Sequence, residues 1–224
     1  PHAADEFARW ARLIAAEVVS DFASLARDGA GSGVDEPRRQ SAVDRLGLTD
    51  SGADPRLRHI TDMARLAFGT RTALFTVLDR DIQLHAARSG IDVTRIARGD
   101  SFCQYTILER GGMIVEDALN DDRFRENPLV TGEPHIRFYA GFPVDSPDGE
   151  RVGALCIFDS SPRRADQVDT SLLRELAHLV QRELWRYLPE TAAPDSRLRL
   201  LARSWTLPRP APLHRVLRIE TDGS

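Results

Sequence analysis

The side chains best suited to chemistry are the two cysteines, Cys103 and Cys156, and a polar and aromatic run from Asp117 to Tyr139. A thiol is a nucleophile or redox centre only as its thiolate, and a place near a helix amino terminus favours that form. Cys103 follows Gly99-Asp100-Ser101-Phe102, where Ser101 can cap a short helix running to Leu108. Either Cys103 is reactive or it is a small apolar filler of a pocket wall, free cysteine being among the most buried residue types. Cys156 alternates with Leu155 and Ile157 in an apolar run and reads as core. Two cysteines without paired spacing form neither a disulfide framework nor a zinc site.

The second group is a candidate ligand pocket. Period-two alternation sends Arg137, Tyr139 and Gly141 to one side of a strand and Phe138 and Phe142 to the other. Which side meets a cavity is left open by the pattern. The expected ligand-binding residues are Phe102, Cys103, Tyr105, Asp117, Phe124, Arg137, Tyr139 and Gly141, with Asp117 and Arg137 forming either a ligand contact or a structural ion pair. His59, His85, His135 and His178 are scattered at spacings that make no ready metal pair, and no cofactor is identified.

Composition narrows the function further. The net charge of −4 argues against a general nucleic-acid binder. All 30 basic residues are arginines, so a P-loop lysine, a kinase ATP lysine and a Schiff base are excluded from these residues. With 42% hydrophobic and 29% charged residues, the balance is that of a globular protein. No apolar run is long enough to cross a bilayer, and the amino terminus lacks a basic segment followed by an apolar one. The expected location is the cytoplasm, with no membrane partner.

Helices and strands must position these groups. Phe7, Trp10, Ile14, Val18, Phe22 and Leu25 predict an amphipathic helix from residue 4 to about 28, followed by a Gly-rich linker. Shorter helices are expected over Arg38 to Leu46 and over 56 to 68. The pattern then changes to β-favouring runs at Thr72 to Leu78 and Ile82 to Ala87, a hairpin, and later at Met113 to Val115, Arg137 to Val144 and Val152 to Phe158. Pro147-Asp148-Gly149 predicts a turn between the last two. Asp166 is expected to cap a helix carrying Leu173, Leu176, Val180 and Leu184, and the proline-interrupted segment 189–224 reads as an extension. The plan is α+β with one antiparallel sheet.

Three stretches, SFCQYTI at 101–107, VEDALNDDRFRENPLVTGEPHIRFYAGFPV at 115–144 and PDGERVGALCIFDSSPRR at 147–164, are similar to the GAF family. They look most like the GAF sensors that bacteria attach to nucleotide cyclases and histidine kinases. The resemblance runs from about Gln40 to Leu188 and implies three parts: 1–39 as a leading helix and linker, 40–188 as a GAF domain, and 189–224 as an extension. It implies a central antiparallel sheet of five or six strands, terminal helices on one face, and a loop-covered pocket on the other. The pocket is then expected between the strand bearing Arg137, Tyr139 and Gly141 and the stretches around Phe102 to Tyr105 and Asp117 to Phe124.

The implied function is sensory rather than enzymatic: binding of an unidentified small molecule, relayed through terminal helices, with a homodimer and a downstream signalling protein as expected partners. One alternative is a thiol redox switch or a free methionine sulfoxide reductase-like enzyme using Cys103. Cys103 falls near a cysteine of that enzyme, but the loop from Asp117 to Ile136 has none to match a second. Another alternative is a GAF fold kept only as a dimerisation scaffold. The cyclic-nucleotide-binding signature is absent, and neither cysteine is followed by the histidine of bilin-attaching relatives. Cyclase, phosphoacceptor-histidine and ATP-binding glycine motifs are also absent, so the output is expected from a larger regulator or from a partner.

Overall fold

The computed structural model describes residues 34–48 and 54–186. The helix expected over 4–28 and the extension at 189–224 lie outside the described residues.

Each described helix of two turns or more starts on an aspartate. Asp35 accepts a hydrogen bond from the Arg38 amide and opens α1 (Glu36–Leu46), and Asp54 does the same for Arg56 and α2 (Pro55–Phe68). Both helices carry proline in their first turn, where no amide is needed. Gly69 stops α2 at φ 56°, a left-handed conformation that glycine adopts without a steric penalty. The carboxy-terminal helix, α5 (Thr170–Trp185), is capped by Asp169 and not by the expected Asp166, which lies in a separate 3-10 turn over Ala165–Gln167. Two single-turn helices complete the set, α3 (Cys103–Thr106) and α4 (Pro128–Thr131).

Six strands form one antiparallel sheet: β1 (Thr72–Asp79), β2 (Ile82–Ser89), β3 (Arg95–Ala97), β4 (Met113–Val115), β5 (Phe138–Asp145) and β6 (Arg151–Asp159). Their order is β3-β2-β1-β6-β5-β4, with the two long hairpins β1–β2 and β5–β6 joined where β1 pairs with β6. The edge strand β3 is not anticipated by the pattern; Arg95-Ile96-Ala97 is too short and too exposed to show alternation.

Alternation divides the core into two layers. Phe75, Phe138, Leu155 and Ile157 point to the face covered by α1, α2 and α5, where Leu57, Ile60, Leu176 and Val180 meet them. Their sequence neighbours Leu74, Tyr139, Cys156 and Phe158 point the other way, toward α3 and the loops. Terminal helices therefore cover one face and loops cover the other, the α+β arrangement expected from the sequence.

Arg39 ties α1 to this sheet. Its side chain is fully buried, donates to the Leu78 carbonyl at 2.5 Å, and is gripped by Glu36 through two bonds of 2.8 Å. Glu36 also accepts from Arg98, so one carboxylate joins α1 to the turn after β3. The hydrogen bonds from Arg39 and Arg98 hold its pKa down at about 2.

Candidate functional site

On the loop-covered face a cavity of about 100 Å³ lies between the sheet and two irregular segments. Leu74, Tyr139, Cys156 and Phe158 project from the central strands to form its floor. Phe102 and Cys103, at the start of α3, close one side. Ile91 and Val93 from the β2–β3 connection, Leu129 of α4, and Pro134 and Ile136 from the α4–β5 connection cover it. The lining is mainly aliphatic and aromatic, the usual wall of a small-molecule site, with few polar groups.

Those polar groups come chiefly from β2. The Ser101 hydroxyl donates to Gln83 Oε1, the Gln83 amide meets His85 Nε2 at 3.0 Å, and His85 Nδ1 meets the Val93 carbonyl at 2.7 Å. A carbonyl only accepts, so Nδ1 carries the ring proton and Nε2 accepts from Gln83. Burial lowers the His85 pKa and outweighs the hydrogen bond to Val93, so the ring is held neutral. Ser101 also accepts from the Gln104 amide, which fixes the start of α3 to the same line of bonds.

Neither Gln83 nor His85 is among the eight expected ligand-binding residues, and the sequence presents His85 only as one of four scattered histidines. A β-bulge explains why: Phe75 pairs with Ala87 but Thr76 pairs with His85, so Ala86 is the extra residue. The bulge lets His85 face the cavity while Ala87 packs toward the helices. Without it, two residues apart would share a face.

The two sulfurs meet on the cavity floor. Cys103 Sγ lies 3.7 Å from Cys156 Sγ and 3.4 Å from the Tyr139 hydroxyl, which also bonds Thr106 Oγ1 at 2.7 Å. Burial pushes the Cys103 thiol up, but hydrogen bonds with Cys156, Thr76, Tyr139 and Ser101 together bring it below its ordinary value. Cys156 is raised, by its bond to Cys103 and by burial, and Tyr139 is raised chiefly by burial. Cys156 is core, as its alternation with Leu155 and Ile157 predicts, but it belongs to the layer under the loops and so also lines the cavity, while Leu155 and Ile157 face the helices.

Of the eight candidate residues, Phe102, Cys103 and Tyr139 line the cavity. Phe124 and Tyr105 support the wall from outside it: Phe124 stacks on Phe102 at 4.0 Å, and Tyr105 meets Phe124 edge-on at 5.1 Å. Gly141 sits beside Tyr139 on the same strand face. Asp117 and Arg137 form a two-point ion pair, Nε–Oδ1 2.6 Å and Nη2–Oδ2 2.7 Å, that pins the segment after β4 to the start of β5 outside the cavity lining. Asp117 further bonds the Leu119 amide and the Asn120 side chain. The stretches that cover the cavity are thus 91–96 and 129–136, whereas the 117–124 stretch stays out of the lining and sends only Phe124 against Phe102.

Among the described residues no group of three or more histidine, cysteine or acidic side chains is placed to hold a metal ion. No described helix is long and apolar enough to cross a membrane.

A family model for the GAF domain matches residues 53–184. A cyclic di-GMP phosphodiesterase of Pseudomonas aeruginosa is 41% identical over 172 residues, covering 74% of this chain and 29% of that protein. The chain therefore spans under a third of that relative's length. Among solved structures, the GAF domain from an Acinetobacter phosphoenolpyruvate-protein phosphotransferase superposes with a TM-score of 0.51 at 16% identity, covering 71% of this chain and 96% of that one. A free methionine-R-sulfoxide reductase from Neisseria meningitidis reaches a TM-score of 0.49 at 21% identity, covering 70% and 89%. The family match spans more than half of the sequence and coincides with the two-layered sheet described above, and the chain belongs to the GAF domain family.

Proposed function

We propose that this GAF domain is a sensor that takes up a small, mainly apolar molecule in the cavity over β1, β5 and β6, and passes the event to its terminal helices. The observation that carries this reading is the cavity itself, covered by the 91–96 and 129–136 segments and floored by the strands that also support α5. Leu74, Tyr139 and Cys156 touch the ligand side, and their neighbours Phe75, Phe138 and Leu155 touch the helix side. A shift of those strands is felt on both faces because protein interiors are close-packed and transmit strain. The line from Ser101 through Gln83 to His85 offers the ligand a polar edge, and a charged group would gain little from so apolar a lining.

The regulatory reading favours an output supplied by a longer chain or by a partner protein, with the helices of two copies as the relay. The Pseudomonas relative, a cyclic di-GMP phosphodiesterase, supports an output in cyclic-dinucleotide turnover. The test is native mass spectrometry of the 224-residue chain purified from its own host, beside a Leu129→Trp variant that fills the cavity. Retention of a small molecule by the unaltered chain and its loss from the variant is expected. A chain that carries nothing, and whose Phe102 and Tyr139 ring signals do not move under xenon, would overturn the reading.

A further inference from the structure

The sulfur pair supports a second activity at the same cavity. The chain has two cysteines in all, and the fold brings them into contact although 53 residues separate them. Both sulfurs are buried from the outer surface and both line the cavity, so a reagent small enough to enter it reaches either one. We propose that Cys103 and Cys156 are a dithiol that a small hydroperoxide converts to an intramolecular disulfide, with Cys103 attacking and Cys156 resolving. This activity stands apart from the sensory reading, since it requires no resident ligand.

The roles follow from the surroundings. Cys103 receives the Tyr139 hydroxyl at 3.4 Å, a donor that stabilises negative charge on sulfur. That donor makes Cys103 the sulfur to give up its proton first, and the directions agree with it: hydrogen bonding brings Cys103 below its ordinary value, and the bond to Cys103 together with burial raises Cys156. Cys103 also begins a single helical turn, whereas Cys156 is fixed in a central strand between β1 and β5.

In the first step the Cys103 sulfur bonds to one oxygen of the hydroperoxide, the O–O bond breaks, and the alcohol leaves with the proton that Cys103 gave up. Cys103 is then a sulfenic acid. In the second step the Cys156 sulfur attacks the Cys103 sulfur, the S–O bond breaks, and the hydroxyl leaves as water with the Cys156 proton. Two thiols and one hydroperoxide thus give one disulfide, one alcohol and one water; the sulfurs lose two electrons and the peroxide gains them. The sulfurs must close from 3.7 Å to about 2.05 Å, which draws α3 and the adjoining Phe102 toward β6 and reshapes the cavity wall.

The full chain, reduced and freed of reductant, is exposed to tert-butyl hydroperoxide in native buffer, quenched with N-ethylmaleimide under denaturing conditions, and weighed intact. The expected product is a monomer lighter by about two mass units that takes up no maleimide, with the Cys103 and Cys156 peptides joined. Cys156→Ser is expected to accumulate a dimedone-reactive sulfenic acid at Cys103, and Cys103→Ser to slow oxidation of the remaining thiol at least about tenfold. Tyr139→Phe keeps both thiols and is expected to slow bridging several-fold, which a purely structural thiol pair would not show. Circular dichroism confirms folding of each variant. Two maleimide adducts on the treated native chain, a bridge between two chains, or overoxidation of Cys103 without a bridge would each overturn the assignment.

Discussion

The Tyr139 side chain folds along β5 so that its hydroxyl occupies the space a β-carbon on Gly141 would take. Residues two apart on a strand share a face, and a side chain at 141 would stand where the phenol now reaches Thr106 and Cys103. Glycine here is a steric requirement of the phenol and not of the backbone.

Gly141→Ala is therefore expected to displace the Tyr139 ring, break its 2.7 Å bond to Thr106 Oγ1, and disturb the cavity floor. Overpacking of a buried site costs about 1–3 kcal/mol, measurable by urea denaturation. Adding Tyr139→Leu to Gly141→Ala should recover part of the loss by vacating the space. A double variant no more stable than the single one would show that the phenol is not the obstacle.

Arg137→Ala is expected to lower stability only slightly, because the ion pair it breaks is screened by solvent, and to leave uptake of a cavity ligand unchanged. The Arg137 side chain meets Asp117 rather than the cavity, and the backbone bonds that hold this corner, Arg137 amide to Asp159 carbonyl and Ala118 amide to Arg137 carbonyl, survive the substitution. Xenon-induced shifts of the Phe102 and Tyr139 signals are the measurement. Loss of those shifts in a folded variant would put Arg137 in the binding machinery.

On β5, alternation predicts Arg137, Tyr139 and Gly141 on one side and Phe138 and Phe142 on the other, and the structure has Phe138 toward the helices and Tyr139 toward the cavity. The strand pattern alone predicts one antiparallel sheet, and the family resemblance adds its two faces, helices on one and loops over a pocket on the other. What stayed hidden was set by contacts distant in sequence. Gln83 and His85 reach the cavity through a bulge that leaves no mark on composition, and Cys156 meets Cys103 only because β6 lies beneath α3. Asp117 and Arg137 have the chemistry of a ligand site, yet satisfy each other. Residue type announces what a group can do; the three-dimensional neighbour decides whether it is free to do it.

Asp145 ends β5 opposite Arg151, with its Oδ1 buried and without a hydrogen-bond partner. Burial raises its pKa to about 6 from 3.8, although Arg151 and Arg110 pull it down. A carboxyl whose folded pKa is raised costs nothing while both states are protonated, begins to favour unfolding as pH rises past 3.8, and reaches its full cost above about 6. The full cost is about 3 kcal/mol from the size of the shift. Asp145→Asn removes the charge and should raise the melting temperature at pH 7.5 while changing it little at pH 3.5. An equal effect at both pH values would mean that ionisation is not the cause.

His85 titrates in the opposite sense. In the folded chain its neutral ring donates through Nδ1 to Val93 and accepts through Nε2 from Gln83, and burial lowers its pKa from 6.5. Protonation would place a second N–H against the Gln83 amide and a charge in an apolar wall. The neutral ring therefore contributes stability that is fully present above the unfolded pKa of 6.5 and is lost as pH falls toward the lower folded value. The ring also closes the β2–β3 connection over the cavity, through Val93 and through the His85 amide to the Thr94 carbonyl at 2.7 Å. Acidification from pH 7 to 5 is then expected to loosen the 91–96 cover before the sheet melts, seen as faster amide exchange in that segment with unchanged protection in β5 and β6. His85→Gln, neutral at every pH, should abolish this acid-dependent change in exchange while leaving the Gly153 and Leu155 amides as protected as before. A ring that titrates near 6.5 in the folded chain, followed by its carbon-bound proton shifts, would contradict the assignment.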